Sequence, residues 1–165
     1  MKKVSLILLI MAAVLLSIPL TSFAGNGEKP AQYAFFYPWQ VFDENTSIAG
    51  FRFNLFYGYN KNITGFDLGL VNRASGNFTG VEFGAVNLVD GNFTGWQSSV
   101  ANITAGDFVG LQSGVVNSAG KKMSGLQLGF YNYAGTLDNG LQIGLLNFNN
   151  SAKPMKFLPF LNFSF

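Results

Sequence analysis

With neither cysteine nor histidine among its 165 residues, the chain has no disulfide framework and cannot build a Ser-His-Asp or Cys-His site or a Cys/His zinc site. Its 10 basic residues against 8 acidic ones leave a formal charge of +2. Lys2 and Lys3 account for that excess, so the remainder is neutral and nothing in it argues for nucleic acid as a partner.

The chain opens on Met1-Lys2-Lys3, an apolar run over residues 4–20, and Thr21-Ser22-Phe23-Ala24, a small-x-small cleavage pattern. This order predicts a secretory signal peptide over residues 1–24. Pro19 and the small residues ahead of Gly25 favour cleavage over retention as a signal anchor. The short lysine-first start is bacterial in style, and no lipid-anchor cysteine follows it. The expected location is across the inner membrane, in the periplasm, outer membrane or cell surface. About 140 residues remain, enough for one domain with its own core. The first of these, residues 25–49, hold the aromatic run Phe35-Phe36-Tyr37-Pro38-Trp39 and read as an N-terminal cap segment.

From residue 50 the chain becomes periodic. Gly50, Gly65, Gly80, Gly95, Gly110, Gly125 and Gly140 fall fifteen residues apart, and Asn72, Asn87, Asn102, Asn117, Asn132 and Asn147 keep the same spacing. Such a beat marks one structural unit copied along a line, over residues 50–150. Inside a unit the residues alternate, with Leu126, Leu128 and Phe130 on one side and Gln127, Gly129 and Tyr131 on the other. Period two means strand. Corners such as Asp90-Gly91-Asn92 break each unit, and a second apolar point recurs at Phe78, Phe93, Phe108 and Met123.

Two all-β architectures accommodate this pattern. In a parallel β-solenoid each unit is one coil, and like residues stack about 4.8 Å apart. In an antiparallel meander each unit is a strand and a turn, closing into a small outer-membrane barrel. Fifteen-residue spacing favours the solenoid, with about six to seven coils, because stacking gives every position the same neighbour above and below. The Asn row then becomes a ladder of side-chain amides. Asn77, Asn92, Asp107 and Lys122 form another row, which sets Asp107 beside Lys122. Asp67, Glu82, Gln97, Gln112, Gln127 and Gln142 form a third, read as a polar ladder facing outward.

A finer beat of five, as in Gly91-Asn92-Phe93-Thr94-Gly95, resembles the pentapeptide-repeat family, which implies a four-sided β-helix. Trp96, Leu111, Leu126, Tyr131 and Leu141 stand where that family has small residues. The longer Gly-Leu-Gln-x-Gly-x-x-Asn core, in residues 125–132 and 140–147, resembles a group of bacterial exported surface-repeat proteins. That resemblance extends to the aromatic segment at Phe35 and to the ending, and it implies export and residence in the envelope or on the surface.

The last segment, residues 151–165, lies outside the beat and reads as a C-terminal cap. Its alternating Leu161, Phe163 and Phe165 also fit the end of an outer-membrane barrel. Among the carboxylates, Asp67 and Glu82 occupy equivalent positions in consecutive units. Such a pair could hold Ca²⁺ or serve as a glycosidase dyad, but two solvated acids continuing the Gln row are the plainer reading. The expectation is therefore an exported, non-enzymatic envelope or surface repeat protein with a structural or binding role and no cofactor. Its partner is left open among an envelope component, a surface glycan, another protein or the membrane.

Overall fold

A computed structural model describes residues 27–165, so the expected signal peptide lies outside the described residues. The described residues form twelve strands and no helix: β1 (Lys29–Phe36), β2 (Trp39–Gln40), β3 (Ile48–Asn60), β4 (Ile63–Ala74), β5 (Phe78–Phe83), β6 (Val86–Val89), β7 (Phe93–Ser98), β8 (Ala101–Thr104), β9 (Phe108–Ser113), β10 (Val116–Leu128), β11 (Tyr131–Asn149) and β12 (Phe157–Ser164). Successive units pair in parallel and in the register of the beat. Gly65 lies beside Gly50, Gly80 beside Gly65 and Gly95 beside Gly80, and so on to Gly140 beside Gly125. Asn87, Asn102, Asn117 and Asn132 follow one another in the same way.

The fold is thus a parallel β-solenoid of about eight turns. This overturns the alternative of a small antiparallel barrel, because the copies run in one direction and only β2 and β12 pair antiparallel. One turn more is present than the glycine beat predicts. The extra turn is β1, which lies parallel to β3 with Ala31 beside Phe51 and Gln32 beside Arg52.

Two rows of glycine make the stacking possible. At Gly80, φ is +136° and a Cβ would lie 1.9 Å from the carbonyl oxygen of Gly65, one turn away. Only a residue without a side chain reaches that conformation and that approach. At Gly84 the added Cβ would instead lie 2.6 Å from Oδ1 of Asn87, so this corner is small because an inward asparagine occupies the space. In the one repeat turn with serine at this corner, Ser99 Oγ donates to Asn102 Oδ1 at 2.7 Å.

The interior is divided lengthwise. One half is apolar, with Ile48, Ile63, Phe78, Phe93, Phe108, Met123 and Leu137 following one another against Ala74, Val89, Ala119 and Ala134. The rings of Phe78, Phe93 and Phe108 stack with centroids 4.9 and 5.1 Å apart, both pairs tilted by 9°. Those spacings match the distance between neighbouring strands, so turn pairing and ring stacking are satisfied together. Burial of each such ring contributes roughly 1.5–3 kcal/mol. The other half of the interior is made of carboxamides and carboxylates.

Candidate functional site

The row read as an outward ladder faces inward. Asp67, Glu82, Gln97, Gln112, Gln127 and Gln142 are all fully buried. The reason is parity. Phe78, Gly80 and Glu82 lie on one side of β5, so a strand that sends Phe78 into the core sends Glu82 there as well. The alternate residues, among them Val81 and Phe83, face outward.

Burial is tolerable because each amide finds its partners in the stack. Gln112 Nε2 donates to Gln97 Oε1 at 2.9 Å, Gln127 to Gln112 at 2.6 Å and Gln142 to Gln127 at 2.7 Å. Their second hydrogens reach backbone oxygens of Ser118, Tyr133 and Phe148 at 3.3, 3.1 and 3.1 Å. The Asn row behaves alike with the opposite polarity: Asn72, Asn87, Asn102, Asn117 and Asn132 each donate to the next Asn Oδ1, at 2.8–3.1 Å. Two antiparallel chains of amide dipoles therefore run along the rod. Their polarity is fixed by the backbone carbonyls, which accept only from nitrogen.

The Gln row ends in charge. Gln97 Nε2 donates to Glu82 Oε2 at 2.8 Å, and Asp67 beyond it is paired with the Arg52 guanidinium through Nε at 2.9 Å and through Nη2. Arg52 Nη1 also reaches the Arg73 carbonyl at 2.8 Å, and Asn54 Nδ2 reaches Asp67 Oδ1 at 3.1 Å. Arg52 escaped the sequence reading, although it stands fifteen residues before Asp67 and the beat itself points to it. Burial first, and the neighbouring Asp67 charge second, push the Glu82 carboxyl well above the usual carboxylate range, against an opposing pull from Arg52. Glu82 Oε1 has no hydrogen-bond partner. The three side chains thus form one buried cluster in which burial favours the protonated form of Glu82. Both carboxylates of the supposed dyad are sealed from solvent, so neither meets a sugar or a hydrated cation. Among the described residues there is no group of three or more acids placed to hold a metal.

The expected ion pair of Asp107 with Lys122 takes a different form. Asp107 Oδ1 accepts from the Lys122 backbone amide at 3.0 Å, while the Lys122 ammonium reaches Asp138 at 3.2 Å. Asn62, Asn77 and Asn92 likewise accept from the backbone amide one turn on, at 2.8, 2.9 and 2.9 Å. This row is therefore a corner brace built on backbone amides.

With the carboxamides inside, the apolar members of the alternation are outside. Phe66, Leu68, Leu70, Trp96, Val100, Val115, Phe130, Ile143 and Leu145 are among the large exposed hydrophobics. They lie on the outer flanks of β4, β7 and β11 and on the corners that join the two strands of each turn. Ser98 and Ser113 interrupt them and leave a shallow hollow lined by Phe83, Val100 and Val115 as well. Trp96 packs edge-on to Phe83 with centroids 5.0 Å apart. Lys61, Asp90, Asp107, Lys121, Lys122 and Asp138 occupy the opposite corner of the turns.

No protein-family model matches the chain, and the searches of curated proteins and of solved structures return no match.

Proposed function

We propose that this is an exported, non-enzymatic repeat protein of the bacterial cell envelope or surface, with a structural or binding role. The observation that carries the reading is the lengthwise division of the rod's exterior into an apolar and a charged side. A surface of that kind suits contact with an extended partner rather than turnover of a small substrate. The buried position of Asp67 and Glu82 supports the non-enzymatic part. The start of the chain, with its lysines, apolar run and small-x-small pattern, supports export. The likeness of residues 125–132 and 140–147 to exported surface-repeat proteins points the same way. Fractionation of the producing cell tests this. The protein is expected in the envelope or outside the cell, shortened by about 24 residues at its N-terminus. Recovery of the intact chain from the cytoplasm would remove the reading.

A further inference from the structure

We propose that the apolar side of the rod is a lipid-bilayer docking edge. The convex corner between the two strands of each turn, with both flanks, enters the acyl region of a bilayer while the charged corner stays in water. This deepens the envelope reading and rests on it for its biological setting, whereas its physical test needs only the purified protein.

The crest is marked by Leu70, Val100, Val115, Phe130 and Leu145, each 42–58 % exposed, with Ala85 between the first two. Six stacked units make this crest roughly 30 Å long, and the uncharged contour around it covers about eight residues per turn, giving an area of roughly 800 Å². The largest apolar patch on an ordinary monomer covers about 300–600 Å². From unit to unit, no acidic or basic side chain falls on the crest or at the two outward positions of the strand before it.

Shape decides between the occupants. The apolar surface bends around a convex corner, and one flank alone offers roughly 400 Å², half of what each partner gives to a stable interface of standard size, about 800 Å². A second copy on one flank would leave the other in water. A bilayer takes up both.

Hydrogen bonding permits insertion. Backbone groups on both flanks are paired along the parallel ladders, and even at the crest Val100 N bonds Ala85 O and Val115 N bonds Val100 O, both at 3.0 Å. The Trp96 indole N–H is satisfied by Ser113 Oγ at 3.2 Å. The edge therefore brings few unpaired donors into hydrocarbon, the condition that limits what can enter a membrane. Tyr59 and Tyr133 share the outward row of Arg73 and Ser118 on the far strand, a place that suits an amphipathic ring at headgroup level. The water-facing corner mixes both signs of charge, so docking needs no anionic lipid.

The test is flotation of the purified protein with phosphatidylcholine vesicles, in low and in high salt. The protein is expected to rise with the vesicles in both, because the attraction is apolar rather than ionic. A variant carrying Val100→Asp and Phe130→Asp, both on outward side chains, should lose vesicle binding by at least about tenfold while keeping the wild-type circular dichroism. Thr94→Asp, an exposed change off the crest, should bind as the wild type does. The proposal is overturned if the wild type stays at the bottom of the gradient, if it sediments as a dimer whose crest is protected without lipid, or if Thr94→Asp loses binding equally. Such a failure leaves the envelope reading standing, since cell fractionation tests that separately.

Discussion

Glu82 joins an ion pair to a ladder of amides, and its protonation is the point at which pH acts on the interior. The native fold raises the carboxyl above its ordinary value, mainly through burial, whereas the unfolded chain presents a glutamate near ~4.3. Native Glu82 therefore holds its proton where the unfolded chain has released it. Its contribution is complete below pH ~4.3 and is lost as pH rises toward the raised native value, at about 1.4 kcal/mol for each unit of displacement. Glu82→Gln should relieve this. An amide there carries no charge to set against Asp67, offers it N–H donors and can still accept from Gln97. Urea unfolding should find the variant close to the wild type near pH 4 and more stable than it at pH 7–8. A wild type that gains stability relative to the variant over that interval would contradict a neutral Glu82. The row containing Glu82 was legible in the sequence, but its direction was misread. Met123, Gly125 and Gln127 share parity, so placing the Met123 row in the core already placed the Gln row there. Leucine between the glutamines, at Leu126 and Leu128, looks like core only if an amide inside a protein is assumed to lack partners. A stack of identical turns supplies those partners.

The strands between Ile48 and Asn149 were legible as elements because fifteen residues separate most equivalent pairs, and any antiparallel pairing would have destroyed that equivalence. The offset is fourteen only where Tyr57–Asn60 meet Val71–Ala74 and where Lys122 and Met123 meet Thr136 and Leu137. The ends carried no such signal. β1 pairs with β3 at an offset of twenty residues, as Ala31 does with Phe51, and its register shifts twice, so no beat announces it. β12 runs antiparallel along β11, with Leu161 beside Ile143 and Phe163 beside Leu141. The alternation of Leu161, Phe163 and Phe165 is compatible with that arrangement and with a barrel strand alike. Buried Asn162 gives the tail its structural meaning, since its Nδ2 donates to Gln142 Oε1 at 3.0 Å and closes the amide ladder. Deleting residues 157–165 should leave that acceptor and the β11 edge without partners. An exposed parallel-sheet edge is a template for another chain, so sedimentation should show association that grows with protein concentration. A truncated protein that stays folded and monomeric would deny β12 its covering role.

At the scale of the whole molecule, a stack whose turns touch only their neighbours should accept the loss of one complete turn and refuse a fraction of one. Removing residues 93–107 joins Asn92 to Phe108. Phe108 then stacks on Phe78, Gln112 donates to Glu82, and Asn87 donates to Asn117, so every interior row stays continuous. The shortened protein should fold, keep its β-sheet circular dichroism, and unfold in urea with a slope smaller by about one eighth, in proportion to the surface lost. Removing residues 93–106 instead brings Asp107 into the row of stacked phenylalanines and displaces every later residue by one position. Charge then enters the apolar half, the glycines with positive φ no longer face one another, and alternate side chains exchange inside for outside. That protein should fail to fold as one cooperative unit, whereas its counterpart one residue shorter should succeed. Equal stability of the two deletions would mean that register between turns is not what holds the rod together.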